Sequence, residues 1–277
     1  MTTATHCHHL TEDEISRFWE DGFLVVPDAL DKSTIATAKQ AILDLIPRDF
    51  VFGERFASHS GRLKPHNEDG SQSYYTPELL PLLINETLYK VMADLFETEY
   101  LRVSDGSVGI TLKDAGPEGL TQRLHLDMRR PTPEQLSLEH VRYNVGMGGC
   151  YYLSGVEQNG AGIHVIPGGH RMAEEIMLNE EGGLQRFENW RQINDLAPSV
   201  EVTANAGDFV LMHHMMPHGA SRNLNPTPRV AQFTRFYRLT EEEAHQAPGP
   251  DRELSADGMA TLTPLGRKLF RFDPWIG

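Results

Sequence analysis

Residues 207–239 read GDFVLMHHMMPHGASRNLNPTPRVAQFTRFYRL. Gly207-Asp208 is a turn dipeptide, and the apolar run behind it, FVLMHH, reads as a strand. From Arg229 the chain alternates. Arg229, Ala231, Phe233 and Arg235 fall on one side, and Val230, Gln232, Thr234 and Phe236 on the other, which is the period of two expected of a strand. Further strand-like segments begin near residue 100: YLRVSDGSVGITLKD, RLHLDM, VRYNVGMGGCYYLSG, AGIHVIPG and SVEVTANA, with turn residues between them. A mostly helical insert from about Met172 to Asn194 interrupts the series.

Upstream of these strands the pattern is helical. Thr11 and Glu14 have the spacing of a capping box, Ile15, Phe18 and Trp19 give one apolar face, and Gly22 stops the helix. FLVV is a short buried strand, Asp31 caps a helix predicted to reach about Ile46, and residues 47–75 have no clean period and read as a long loop. TPELLPLLINETLYKVMADLFE is helical again. Strands after a helical opening predict a mainly β, α+β chain, a sandwich or barrel with helices packed outside. No composition break marks a linker. One domain is therefore expected over residues 1–277, with helical support at about 1–98, the β core at about 99–240 and a C-terminal tail at 241–277.

Composition narrows the function classes. With 25 basic and 39 acidic residues the net charge is -14, which disfavours nucleic acid or an anionic membrane as partner. No run approaches the roughly 20 apolar residues of a membrane span, and the N-terminus lacks a basic start followed by an apolar stretch. Two cysteines, Cys7 and Cys150, make no disulfide framework, so a cytoplasmic location is expected.

The segment TQRLHLDMRR (Thr121 to Arg130) carries the chemistry. In a strand, His125 and Asp127 share a face while Leu124, Leu126 and Met128 take the other. An imidazole and a carboxylate so placed suit a metal. A second His-x-acid pair, His66 and Glu68, lies in a polar loop rich in turn residues and reads as solvated. A 2-His-1-carboxylate face needs one more histidine and leaves coordination positions open. His213, His214 and His218 are the candidates, and spacing alone does not choose among them.

Taken together, HLD, then NGAGIHVIPGGHR, then GDFVLMHHMMPHGASRN followed by Arg229, resemble the phytanoyl-CoA dioxygenase (PhyH) family of Fe(II)/2-oxoglutarate oxygenases. EISRFWEDGFLVVPDAL resembles that family's opening segment, so the likeness runs from about residue 10 to 240. It implies a double-stranded β-helix, or cupin-like jelly roll. It implies His125, Asp127 and His218 as catalytic iron ligands and Arg229 as the anchor of the distal carboxylate of 2-oxoglutarate. Ser221 is a further candidate for that carboxylate, although the family often has its serine one position earlier, where this chain has Ala220. His213 matches a recurrent family position and reads as packing or support rather than as a ligand.

The cofactors so implied are Fe(II), 2-oxoglutarate as co-substrate and dioxygen, and the reaction is hydroxylation of an unactivated C–H bond with succinate and carbon dioxide as co-products. Desaturation, cyclisation or cleavage of a carbon–heteroatom bond use the same iron, and a jelly roll that binds metal or ligand without catalysis is the reading from another class. Related halogenases have Ala or Gly in place of the carboxylate, so Asp127 argues against halogenation. A free small-molecule metabolite is the expected substrate, because a coenzyme A thioester would want a basic surface groove.

Substrate candidates are Arg129, on the same face as His125 and Asp127 and able to hold an anionic group or pair with an acid, and Tyr151 on the CYYL strand. Arg62, Lys64 and His66 read as a solvated charged loop. The His6–His9 run reads as a frayed terminus, and His164 and His170 as structural.

Overall fold

A computed structural model describes residues 9–46, 62–67, 70–114, 116–121, 123–128, 131–186, 193, 195–250 and 253–277. The opening helix α1 (Glu12–Asp21) starts at the expected capping box, with Thr11 accepting from the Glu14 amide and Glu14 reaching back to the Thr11 amide. It ends on Gly22, at φ +81°. A side chain there would collide with His170, whose ring sits 2.2 Å from the position a Cβ would take. Strand β1 (Phe23–Val26) follows. Asp31 then caps α2 (Lys32–Leu43), accepting from the amides of Ser33 and Thr34.

Part of the expected loop, residues 47–61, lies outside the described residues. Arg62–Leu63 is instead a short strand, β2. The long helical segment divides into α3 (Leu80–Leu83) and α4 (Glu86–Phe96). Asn85 causes the break, because its side chain accepts from the Leu88 amide and starts a second helix.

The β core follows as β3 (Leu101–Thr111), β4 (Met147–Tyr152), β5 (Ile163–Val165), β6 (Val200–Val202), β7 (Phe209–His213), β8 (His218–Ala220) and β9 (Arg229–Arg238). Helices α5 (Gly169–Asn179) and α6 (Gly183–Arg186) form the described part of the insert between β5 and β6. One sheet has the order β1-β7-β4-β9-β3-β2, the other β6-β5-β8, and every strand pair is antiparallel. This is a mostly antiparallel jelly roll with flanking helices, as the sequence predicts.

Alternation along the strands sends side chains to two different cores. Cys150 and Tyr152 of β4, Val210 and Met212 of β7 and Ala231 of β9 pack between the sheets with Ile163, Val165 and Val202. Tyr151, Phe209, Leu211, Val230 and Phe236 point the other way, into the core shared with the helical layer that holds Phe18, Ile42, Leu80 and Phe96. Both faces of the larger sheet are therefore covered, so β4 and β7 are buried at every residue. Among the described residues three short helices, Glu241–Ala244, Ala256–Thr261 and Pro264–Leu269, follow β9, and Trp275 donates from its indole nitrogen to the Leu101 carbonyl.

Two expected strands differ. Residues 140–144 form a wide helical turn, and the strand begins only at Met147. Gly146, at φ +94°, separates this turn from the strand, and the carbonyls of Arg142 and Val145 are taken by the rings of His213 and His214. RLHLDM is extended but pairs with β8 through a single bridge, His125 with His218. Beyond His125 it leaves β8, and the amides of Asp127 and Met128 turn to the His214 carbonyl. Its leucines still face an apolar side, with Leu124 against Ile166 and Ile193, and Leu126 beside Met128 and Met215. Among the described residues no helix is long and apolar enough to cross a membrane.

Candidate metal centre

His125 and His218 meet because their backbones are bonded in both directions. The His125 amide donates to the His218 carbonyl at 2.8 Å and the His218 amide to the His125 carbonyl at 3.0 Å. In such a pair side chains project to the same side, and the ring centroids are 4.3 Å apart. Asp127, two residues on, turns its carboxylate between them. Oδ1 lies 3.7 Å from Nε2 of His125, and Oδ2 lies 3.6 Å from Nε2 of His218. One ligand atom from each of the three residues lies within 4.8 Å of the others, and among the described residues this is the group of three that can hold a metal.

The donors are in the states a divalent metal needs. Burial, together with the neighbouring His218, pulls His125 down to about 4, so its ring is neutral near pH 7. His125 also hydrogen-bonds the backbone of Arg123. Nδ1 of His218 lies 2.9 Å from the Met216 carbonyl oxygen, which can only accept. The proton therefore sits on Nδ1 and the lone pair of Nε2 faces the site. Burial alone would raise Asp127, but His218, Arg235, His214 and His125 outweigh it and hold the carboxyl below its ordinary value.

The three candidate ligands open onto a cavity of about 180 Å³, also lined by Arg62, Lys64, Ser107, Ile163, Gly219, Ala220, Arg229, Phe233 and Arg235. The alternation of β9 explains three of these, since Arg229, Phe233 and Arg235 share one face. Arg229 is 2% exposed, donates from Nη1 to the Ala161 carbonyl at 2.9 Å, and has Cζ 6.0 Å from the centre of the Tyr152 ring. Its Nε has no partner among the described residues. Arg235 donates from Nη2 to Oδ2 of Asp127 at 2.8 Å. Two imidazole nitrogens, one carboxylate oxygen and a buried guanidinium on the same wall fit ferrous iron and a dicarboxylate keto acid.

The other sequence candidates are placed elsewhere. Ser221 is buried, donates to the Gly162 carbonyl at 2.8 Å, lies 3.3 Å from Oε1 of Glu201 and does not line the cavity. Tyr151 packs edge-on against Phe209 in the helical-side core, away from the cavity. Arg129 and Glu68 lie outside the described residues, as do His6 to His8. His213 is buried and holds the Arg142 carbonyl, while His164 meets Ser199 and His170 meets the Trp19 carbonyl.

The solvated-loop reading of Arg62 and Lys64 is corrected, because both line the cavity. Burial, with the charge of Arg229 adding to it, draws Arg62 down to about 10. Their two-residue spacing was the available signal for a shared face. For Arg235 it was the even spacing from Arg229.

A facial 2-His-1-carboxylate site inside a jelly roll defines a class, the Fe(II)- and 2-oxoglutarate-dependent oxygenases. The family model described as "Phytanoyl-CoA dioxygenase (PhyH)" matches residues 18–231. The chain belongs to that family and is an Fe(II)/2-oxoglutarate-dependent dioxygenase, with iron, 2-oxoglutarate and dioxygen as its cofactors.

No curated protein sequence matches the chain. Among solved structures, the non-heme α-ketoglutarate-dependent carbocyclase SnoK from nogalamycin biosynthesis is 17% identical, with TM-score 0.56 over 86% of this chain and 90% of that one. The epimerase SnoN from the same biosynthesis is 18% identical, with TM-score 0.52 over 89% and 93%. HygX from Streptomyces hygroscopicus, with nickel, 2-oxoglutarate and hygromycin B bound, is 18% identical, with TM-score 0.56 over 83% and 88%. At these identities the likeness concerns the fold.

Proposed function

We propose that this chain, acting as one oxygenase unit in the cytoplasm, hydroxylates an unactivated C–H bond of a free small-molecule metabolite. In this reading His125, Asp127 and His218 hold Fe(II), and Arg229 binds the distal carboxylate of 2-oxoglutarate. The observation that carries it is the convergence of those three donors on a cavity whose wall also holds the buried guanidinium of Arg229. Bound iron with 2-oxoglutarate and dioxygen supplies the oxidising power, and succinate and carbon dioxide are the co-products.

The chain's own residues position and neutralise. The neutral ring of His125 and the carboxylate of Asp127 present lone pairs beside Nε2 of His218. The Arg229 fork matches the planar carboxylate in two parallel hydrogen bonds. Phe233 and Ile163 give the cavity apolar wall, which keeps water from the reacting centre. The carboxylate of Asp127 fills the position that a halide would need, which supports hydroxylation over halogenation. A small-molecule substrate is supported by the hygromycin B bound in HygX.

The test is succinate release from 2-oxoglutarate by the purified chain with Fe(II) and ascorbate, alongside a metabolite screen for a mass gain of one oxygen. Succinate at the level of a metal-free control would sink the assignment of the three ligands.

A further inference from the structure

The loop Gln158–Gly162, which leads into β5, is fastened from one side by a single carboxylate. Oε2 of Glu201 accepts from the Asn159 amide at 2.7 Å, and Oε1 accepts from the Gly162 amide at 2.7 Å. Ser221 lies 3.3 Å from the same Oε1 and donates to the Gly162 carbonyl. From the other side the Ala161 amide donates to the Arg222 carbonyl and the Leu224 amide to the Asn159 carbonyl. Between these restraints Asn159 and Ala161 sit at φ +61° and +69°, a left-handed conformation costly for residues with a Cβ. A Cβ at Gly162 would lie 2.5 Å from Cγ of Glu201, so the glycine is what lets the carboxylate approach.

What the strained loop delivers is the Ala161 carbonyl, 1% exposed at its residue, which receives Nη1 of Arg229. Released from Glu201, Ala161 would relax towards negative φ and its carbonyl would swing off the guanidinium.

We propose that Glu201 is a positioning residue for the keto acid: its carboxylate clamps residues 159–162 so that the Ala161 carbonyl orients Arg229. The proposal rests on the reading of Arg229 given above. The same clamp gives Ser221 a role at one remove from the co-substrate, in place of direct contact with it. Sequence offers no sign of this, because Glu201 lies 42 residues from Asn159 and 39 from Gly162.

The experiment titrates 2-oxoglutarate into anaerobic Fe(II)-loaded protein, following the absorption of the iron–keto-acid complex, and separately titrates the metal. Glu201→Ala is expected to raise the Kd of 2-oxoglutarate about tenfold and to leave that of the metal within about twofold. Glu201→Gln keeps the shape and one accepting oxygen, so it is expected to fall between Glu201→Ala and the unchanged protein, and it carries the test if the alanine variant does not fold. Combining Glu201→Ala with Arg229→Ala is expected to add nothing to Arg229→Ala alone. Unchanged 2-oxoglutarate affinity in a folded Glu201 variant, or additive losses in the double variant, would overturn the proposal. If Arg229→Ala itself leaves that affinity unchanged, it is the reading of Arg229 that fails.

Discussion

The Arg235 guanidinium donates from Nη2 to Oδ2 of Asp127 at 2.8 Å, on the oxygen that faces His218. One member of the metal-binding face is thus held by a cation from β9, which fixes its rotamer and keeps it ionised. Replacing Arg235 with Met removes that hold while leaving all three ligands in place. Metal affinity is expected to fall about 10- to 100-fold, read by titration of the metal-free protein, and Arg235→Lys is expected to recover part of it. Unaltered affinity in Arg235→Met would show that Asp127 is oriented by its backbone alone.

Removal of a ligand has a different signature. His125→Ala and His218→Ala are each expected to abolish succinate formation because iron is no longer retained, with metal content per chain as the direct measure. Asp127→Gly is expected to lose hydroxylation as well. Full iron occupancy in the His218 variant would return His213 and His214 to consideration.

Arg229 is 2% exposed, and the dicarboxylate proposed beside it would give that buried charge its partner. Arg229→Ala is expected to weaken 2-oxoglutarate by about 2–5 kcal/mol, or about 30-fold or more, with metal affinity retained. A KM for 2-oxoglutarate that does not move would refute its role.

Acid should destabilise the protein through its buried histidines. Nε2 of His213 lies 2.7 Å from the Arg142 carbonyl and so carries the proton, while Nδ1 accepts from the Met215 amide. A second proton has no acceptor there, and burial pulls the group down to about 4. The unfolded chain protonates this ring near its ordinary value of about 6.5 and the folded one near 4, so the unfolded state takes up more protons between them. Stability is whole above about pH 6.5 and is lost as pH falls towards 4, at about 1.4 kcal/mol per pH unit for this group. His214, pulled down to about 3 by burial, adds to the loss. Urea midpoints measured across pH 4–8 check this, and His213→Gln, which cannot titrate, is expected to flatten the slope.

Much of this was legible in the chain because local rules and tertiary demands agreed. Thr11 and Glu14 cap a helix in sequence and in space, and the period of two from Arg229 becomes the cavity face of β9. Where they disagreed, tertiary contact won. The HLDM segment alternates as a strand should, yet the His214 carbonyl draws Asp127 away from the ladder. Residues 140–144 have strand-forming side chains but are docked as a turn by His213 and His214. Arg62 and Lys64 read as solvated because nothing in one dimension tells that β2 lies along β3, with Arg62 opposite Thr111. Tyr151 and Ser221 are the converse. Their chemistry suggested contact with ligands, and strand parity turned one into the core and spent the other on a backbone carbonyl.

The two-way amide pairing of His125 with His218 also bears on how the ion comes and goes. Two peptide hydrogen bonds join these distant parts of the chain, so the metal is not needed to hold the two histidines together. Such a cradle is expected to empty under a chelator and refill with a different divalent ion while the β-structure stands unchanged, and the vulnerability of the enzyme to metal starvation is then reversible inactivation rather than collapse.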